Sequence, residues 1–280
     1  MIGCDCDVCR SPDPRDQRLR SSIYIETPES SWVVDTGTDF RTQALREDIR
    51  KVDAVVFTHS HTDHIMGFDD LRRFSYERGS MPVYASAETM RDLERVFRFA
   101  FKTSNPVPYY LKPEPHIIDG PFKLGETLIT PLPVPHGDSV VNGYLFSLAR
   151  LWNTDLQSVR PAEFYSDGSE TPDRMSVGRT GRTACVPGTH EKLLAYLSDC
   201  SAVPDAIADL ISGVKVLIID ALRDKPHPTH LSVGQALEAA ARVKPERTYF
   251  THICHDLPQS TESRLPKRVH IAYDGLKLCL

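Results

Sequence analysis

The chain has no run approaching 18 consecutive apolar residues, so nothing in it is long enough to cross a bilayer as a helix. Its first residues, Met1-Ile2-Gly3-Cys4, lack the basic and apolar regions of a secretory signal. No long run of Lys or Arg occurs and the formal net charge is -5, so nothing advertises nucleic-acid binding. The default expectation is a soluble, cytoplasmic chain with no membrane and no nucleic-acid partner. Thiols stay reduced in that compartment, so clustered cysteines read as metal ligands rather than disulfides. Three of the seven cysteines are clustered, at Cys4, Cys6 and Cys9.

Against these absences stands one dense segment, Thr58-His59-Ser60-His61-Thr62-Asp63-His64. It follows Val52-Asp53-Ala54-Val55-Val56-Phe57, an apolar run that reads as a buried strand. Nothing structural needs three imidazoles and a carboxylate at a strand end, whereas a metal site does.

The 280 residues, 40% of them hydrophobic, can bury a sizeable core and are expected to form a single domain over 1–280. Ser22–Glu26 and Ser31–Asp35 read as a strand pair, Asp39 as a helix cap, and 86–100 as an amphipathic helix. The Pro-rich, aromatic stretch 103–121 reads as a loop that could wall a pocket with Tyr109 and Tyr110, alongside Phe101. Strands follow near 127–134 and 143–148. Residues 150–190, rich in Arg, Ser, Thr, Gly and Asp, read as an inserted, flexible loop. Leu193–Leu197, Val214–Ile219 and Arg247–Thr251 are further strands, separated by helices from Pro204 and over 232–243. Strand and helix alternate, so the class is α/β or α+β.

His59, His61, His136, Asp199 and His252 each follow an apolar strand-like run, and Asp63 and His64 complete the set. Strand ends converge at a sheet edge, so these side chains can meet. Seven ligands exceed one tetrahedral metal and fit two metals about 3.5–4 Å apart, an arrangement suited to hydrolysis. Two dications would also offset most of the negative charge. Zinc suits the imidazoles, and the carboxylates leave room for manganese or iron.

The order His59-x-His61-x-Asp63-His64, His136, Asp199, His252 resembles the metallo-β-lactamase superfamily. That resemblance implies an αββα sandwich, two mixed sheets with helices outside. It implies His59, His61 and His136 on one metal, Asp63, His64 and His252 on the other, and Asp199 bridging. Asp35 matches a position that supports the first metal's ligands, and equally fits a turn-forming Asp. Cys4-x-Cys6-x-x-Cys9 supplies three of the four ligands of a structural zinc, with Cys254 or His255 as the fourth. This pattern resembles the phosphoribosyl cyclic phosphate phosphodiesterase branch, which implies His255. His230, in Pro228-Thr229-His230-Leu231-Ser232, matches a histidine placed beside the metals. Asp63 and His230 are the candidate catalytic residues, and Asp220 a group that orients a ligand or His230. His227 reads as a loop residue; His116, His190 and His270 read as structural or exposed.

The implied function is a binuclear-metal phosphodiesterase acting on a small phosphate ester, cyclic ones included. The alternatives are an oxygenase resembling pyrroloquinoline-quinone biosynthesis protein B, a tRNA-processing nuclease, which would need a basic patch, and a zinc-stabilised binding module. A homodimer is compatible with the sequence and not required by it. That branch carries a strand and a Gly-rich loop ahead of its Cys segment. Here only three residues precede Cys4, so that strand is expected to be missing.

Overall fold

The computed structural model describes residues 1–102, 109–149 and 190–280. Apart from His190, the insertion expected at 150–190 lies outside them, as does 103–108 of the Pro-rich stretch.

Two mixed β-sheets pack face to face with helices outside, the α+β sandwich expected. The first sheet runs β1 (Ile23–Glu26), β2 (Ser31–Val34), β3 (Ala54–Val56), β4 (Met81–Ala85), β5 (Pro113–Ile117) in that spatial order. Its β1–β2 pair is antiparallel and the rest parallel. The helices α1 (Phe40–Arg46), α2 (Thr62–Ile65), α3 (Arg72–Arg78) and α4 (Ala87–Val96) connect these strands. The second sheet comprises β6 (Phe122–Leu124), β7 (Thr127–His136), β8 (Ser139–Ala149), β9 (His190–Leu197), β10 (Val216–Asp220), β11 (Arg247–Thr251) and β12 (Val269–Ile271). Strands β6 to β9 are antiparallel and β9 to β12 parallel, with α5 (Asp205–Leu210) and α6 (Val233–Val243) in the crossovers. No helix among the described residues is long and apolar enough to cross a membrane.

The four layers follow from residue alternation, because successive side chains of a strand face opposite ways. On β2 and β3, Val33 and Val55 pack with Phe57, Phe68, Met90 and Leu93 under the helices. Trp32, Val34, Ala54 and Val56 face inward onto Ile129, Tyr144, Tyr196 and Ile218 of the other sheet. There, Ala195, Leu197, Leu217 and Ile219 point outward to Ala208, Ala236 and Ala239 of α5 and α6. Strands buried on both faces must be apolar throughout, which is why Ala54-Val55-Val56-Phe57 and Val216-Leu217-Ile218-Ile219 are unbroken apolar runs.

Three local expectations are corrected. The Pro-rich stretch is not all loop: Pro113–Ile117 forms β5, paired in parallel with β4. Proline cannot donate to a ladder, so Pro113 and Pro115 are tolerated because β5 is an edge strand. Nor do the aromatics wall the histidine loop. Phe101 stacks on Phe68 at 5.9 Å and Tyr109 on Tyr76 of α3 at 5.9 Å. Asp39 precedes α1 but makes no side-chain cap; its Oδ2 accepts from the Arg20 backbone N–H at 3.0 Å.

The seam between β8 and β9 is closely packed at Gly143. A Cβ on Gly143 would lie 2.3 Å from Leu197 Cδ2 and 2.7 Å from Tyr196 O, just ahead of Ser198-Asp199. Gly143→Ala is expected to lower stability by about 1–3 kcal/mol through overpacking. Urea unfolding checks this, and an unchanged midpoint would mean that the seam relaxes freely.

Candidate metal centre

The carboxyl ends of β2, β3, β9, β10 and β11 and the β7–β8 turn deliver Asp35, the 59–64 segment, Asp199, Asp220, His252 and His136 to one edge of the sandwich. That is where open α/β sheets place their sites. The β3 loop is held from both sheets: Phe57 N donates to Tyr84 O of β4 at 2.8 Å, while from β8 Tyr144 Oη donates to Phe57 O at 2.6 Å and Asn142 N to Thr58 O at 3.1 Å. It then enters α2, whose first turns carry Asp63 and His64.

Asp35 is fully buried and left-handed at φ 61°. Its Oδ1 accepts from Thr58 N at 2.8 Å, and its Oδ2 from Thr58 Oγ1 and His64 Nδ1, each at 2.8 Å. These bonds set tautomers. The Thr58 hydroxyl donates to Asp35, so it accepts from His59 Nδ1 at 2.9 Å and leaves the His59 Nε2 lone pair free. His64 gives Nδ1–H to Asp35, and His136 gives Nδ1–H to Thr229 O at 2.8 Å. Each imidazole thus turns its Nε2 towards the cluster, as metal-binding histidines with an oriented outer nitrogen do.

The ligand atoms of His59, His61 and His136 lie within 4.8 Å of one another, as do those of Asp63, His64 and His252. Asp199 joins His59 and His64 in a third such group, and His136 and His230 in a fourth. Its Oδ2 is 3.0 Å from His64 Nε2, and its Oδ1 3.1 Å from His252 Nε2. His252 is itself left-handed, at φ 55°. His61 is the exposed member, and His59, His64, His136 and Asp199 are buried. The sequence candidates therefore meet, whereas His116 stacks on Tyr84, His270 on Tyr249, and His190 opens β9 on the surface.

Electrostatics fit a cation here. His59 Nε2 and His252 Nδ1 are buried without a hydrogen-bond partner, an expensive state unless something else satisfies them. Burial, reinforced by His64, pushes His59 down to about 2, so it stays a neutral donor. Burial opposes charge on His64 and His252, yet Asp199 and the other flanking carboxylates outweigh it and raise both imidazoles. A hydrogen bond from His252 holds Asp63 far below the usual carboxylate range, and His252 and His64 do the same for Asp199 against burial. Protons on His64 and His252 neutralise the carboxylates, a task that divalent metals would take over.

His230 stands beside this set with Nδ1 2.8 Å from Asp220 Oδ2, which also accepts from Cys200 N at 3.1 Å. Burial raises Asp220 well above the carboxylate range and lowers His230 to about 4, favouring an uncharged pair. His227, read above as a loop residue, lies against His230, at 5.1 Å between rings, with its Nδ1 accepting from Thr229 N. Arg20, which no sequence motif marks, has its Nη1 3.6 Å from Asp63 Oδ2.

A second cluster brings Cys4, Cys6, Cys9 and His255 ligand atoms within 4.8 Å. His255 Nδ1 is 3.5 Å from Cys4 Sγ and 3.4 Å from Cys6 Sγ. The hydrogen bond from His255 lowers the Cys6 thiol to about 6, towards the thiolate that a metal needs. Cys254 turns away; its Sγ accepts from Asp256 N at 3.4 Å.

A family model, the Beta-lactamase superfamily domain, matches residues 32–253. The chain is 28% identical over 287 residues to an Octanoyltransferase of Porphyromonas gingivalis, covering 99% of this chain and 48% of that protein. It thus spans about half the length of that relative. A Ribonuclease Z of Bradyrhizobium diazoefficiens is 25% identical over 86% of this chain and 85% of its own. Among solved structures, a diphosphatase from the PhnP family superposes with TM-score 0.78 and 37% identity, covering 99% of this chain and 90% of that one. Zn(2+)-bound PqqB from Methylobacterium extorquens superposes with TM-score 0.64 at 18% identity, covering 100% and 95%, a likeness of fold alone.

Two outcomes follow. Asp35→Asn removes an acceptor from Thr58 or His64 and is expected to weaken metal retention about 10- to 100-fold, read by metal analysis after dialysis. In chain stripped of the metals of the 59–64 cluster, the raised His64 and His252 stabilise the fold below their ordinary pKa. That contribution fades as pH rises through the raised folded values, so stripped protein should lose stability on the alkaline side while metal-loaded protein does not. Parallel pH-melting curves that stay superimposed would contradict this.

Proposed function

The chain belongs to the beta-lactamase superfamily, in its PhnP-like branch of metallo-β-lactamase-fold hydrolases, and on that premise we propose that it hydrolyses a P–O bond in a small phosphoric ester. Phosphodiesters, cyclic ones included, and diphosphate-linked esters share the chemistry. The observation that carries this reading is Asp199, a buried carboxylate that clusters with members of both ligand groups, with His59 and His64 in one set and with His136 in another, beside the orphaned Nε2 of His59. Such a donor set suits a pair of divalent cations.

In this reading His59, His61 and His136 hold one divalent cation, Asp63, His64 and His252 the other, and Asp199 both. When bound, such cations supply Lewis acidity, which neutralises phosphoryl oxygens and acidifies water. The chain's own residues supply the rest. His61, exposed at the mouth, leaves that side of the site open to substrate. Buried Asp35 keeps the imidazoles in one tautomer, so ligands need no reorganisation. His230, oriented through Nδ1 by Asp220, keeps its Nε2 for the leaving oxygen and can pass it a proton. The Cys4, Cys6, Cys9 and His255 cluster suits a structural zinc, with four ligands and no open position.

The test is metal analysis joined to assays on bis-p-nitrophenyl phosphate, a ribose 1,2-cyclic phosphate and a dinucleoside diphosphate. We expect two site metals and one zinc per chain, with esterase activity abolished in His61→Ala. Activity only on RNA ends would favour a nuclease, and iron with oxygen consumption an oxygenase. Cys6→Ser is expected to lower zinc content and thermal stability while the two site metals remain. Loss of all metals together would show the two centres to be inseparable.

A further inference from the structure

We propose that the surface around Tyr76, Tyr109 and Tyr110 binds single-stranded nucleic acid, at the end of the first sheet remote from the metal centre. Strands β2, β3 and β4 are parallel, and the first two bring their carboxyl ends to the candidate ligands. The tyrosines gather at the opposite end. Tyr76 lies near the end of α3, which leads into β4, and Tyr109, Tyr110 and Lys112 lead into β5. Met81 opens β4 directly opposite Pro113 of β5, so both approaches arrive at the same amino-terminal edge. The assignment is therefore independent of the phosphoric-ester reading and asks no chemistry of this surface.

The rings pack on one another without being covered. Tyr109 stacks on Tyr76 at 5.9 Å with 14° between planes, and Tyr110 meets Phe99 edge-on at 5.7 Å. Tyr109 is 66% exposed, Tyr76 61% and Tyr110 40%. Single exposed rings are ordinary, whereas adjoining ring pairs left in water mark a contact surface.

Cations stand among them. Tyr76, Tyr109 and Tyr110 border a hollow of about 30 Å³ together with Arg72 and Lys112. That volume is about the share of one water and excludes a base, so a partner must lie across ring faces rather than enter a pocket. Lys112 is exposed and, among the described residues, its ammonium has no hydrogen-bond or ion-pair partner. The same holds for Arg98, which precedes Phe99 in the turn after α4. Arg72 Nη1 lies 3.2 Å from Asp69 Oδ2, in a pair exposed on both sides that water and salt weaken. These cations come from α3, the turn after α4 and the approach to β5. Only folding unites them, which is why no basic run announces the surface in the sequence.

The combination selects the partner. Nucleic acid offers both halves of the match, base faces for the rings and phosphates for Arg and Lys. A duplex hides its base faces in the stack, so the strand must be single. An acidic protein would answer the cations and leave the ring faces unmatched. A bilayer would require side chains that enter hydrocarbon, whereas this surface presents tyrosine hydroxyls.

Fluorescence anisotropy with a short labelled oligothymidylate tests this. The unaltered protein and His61→Ala are expected to bind the strand equally, because the surface stands apart from the metals. Tyr76→Ala and Tyr109→Ala should each weaken binding about 10-fold, while Tyr109→Phe, which keeps the ring, should not. Lys112→Glu should weaken it and flatten its dependence on salt. These side chains are exposed, so unchanged melting temperatures will show that the variants fold. No binding by the unaltered protein, or unchanged affinity in both Tyr→Ala variants, overturns the assignment. Loss of affinity in His61→Ala overturns it by placing the strand at the metal centre. Heparin or phosphatidylserine vesicles bound as tightly as the strand also overturn it, since neither offers a base to stack.

Discussion

The Asp35 carboxylate is the pivot of the molecule. It is a charge with no exposure, and burying one is tolerable only when donors surround it. Thr58 N, Thr58 Oγ1 and His64 Nδ1 are those donors. Because two of them come from residue 58 and the third from residue 64, one side chain fixes both ends of the histidine loop. The left-handed backbone at Asp35 lets β2 stop and aim the carboxylate sideways into that loop. Asp is among the residues that tolerate this conformation.

The rest of the edge is built on that anchor. With the outer nitrogens of His59, His64 and His136 spent on Thr58, Asp35 and Thr229, the inner nitrogens face one another and Asp199. Left alone, such a cluster is unstable in opposite senses. Burial strips charge from His59, while the carboxylates force protons onto His64 and His252. The mixture of a neutral, orphaned imidazole and charged neighbours is a donor set that suits cations. A core assembled for its own stability would pair every donor.

Much of this was legible in the sequence because strand ends carry the chemistry. The apolar runs before His59, Asp199, Asp220 and His252 are buried strands, and their next residues share an edge through parallel pairing. The α+β sandwich and membership of the superfamily were legible for the same reason. What escaped was set by long-range contact. Pro113–Ile117 reads as loop by composition, and it is a strand only because an edge position forgives proline. Asp39 reads as a cap, but the Arg20 backbone claims its carboxylate. Tyr109 and Phe101 find partners in Tyr76 and Phe68, and no local pattern specifies which aromatic face will be covered. The position of Arg20 over Asp63 depends on Asp39, Gln43 and Gly37 together, three residues whose joint role exists only after folding.

The N-terminal segment and the 252–259 loop constrain each other in a way that ties the cysteine cluster to the main site. His252 and His255 are three residues apart, on a loop that leaves β11 in the left-handed conformation. That loop has no helix or strand to hold it between Thr251 and the turn after Pro258. It is held by Cys254 N donating to Leu222 O at 3.0 Å, by Arg18 Nη1 on Leu257 O at 3.0 Å, and by Gln259 N on Asp16 Oδ1 at 2.6 Å. Residues 4–18 are equally short of regular structure, one short 3-10 turn apart. Each irregular segment therefore supplies the other's partners, with Cys4 and Cys6 against His255 at one end and Arg18 against Leu257 at the other. A metal at the cysteine cluster would lock the end of this pairing nearest His252. The backbone strain at His252, of order 1–3 kcal/mol for a left-handed residue, is the kind of cost that such surrounding constraint can hold in place.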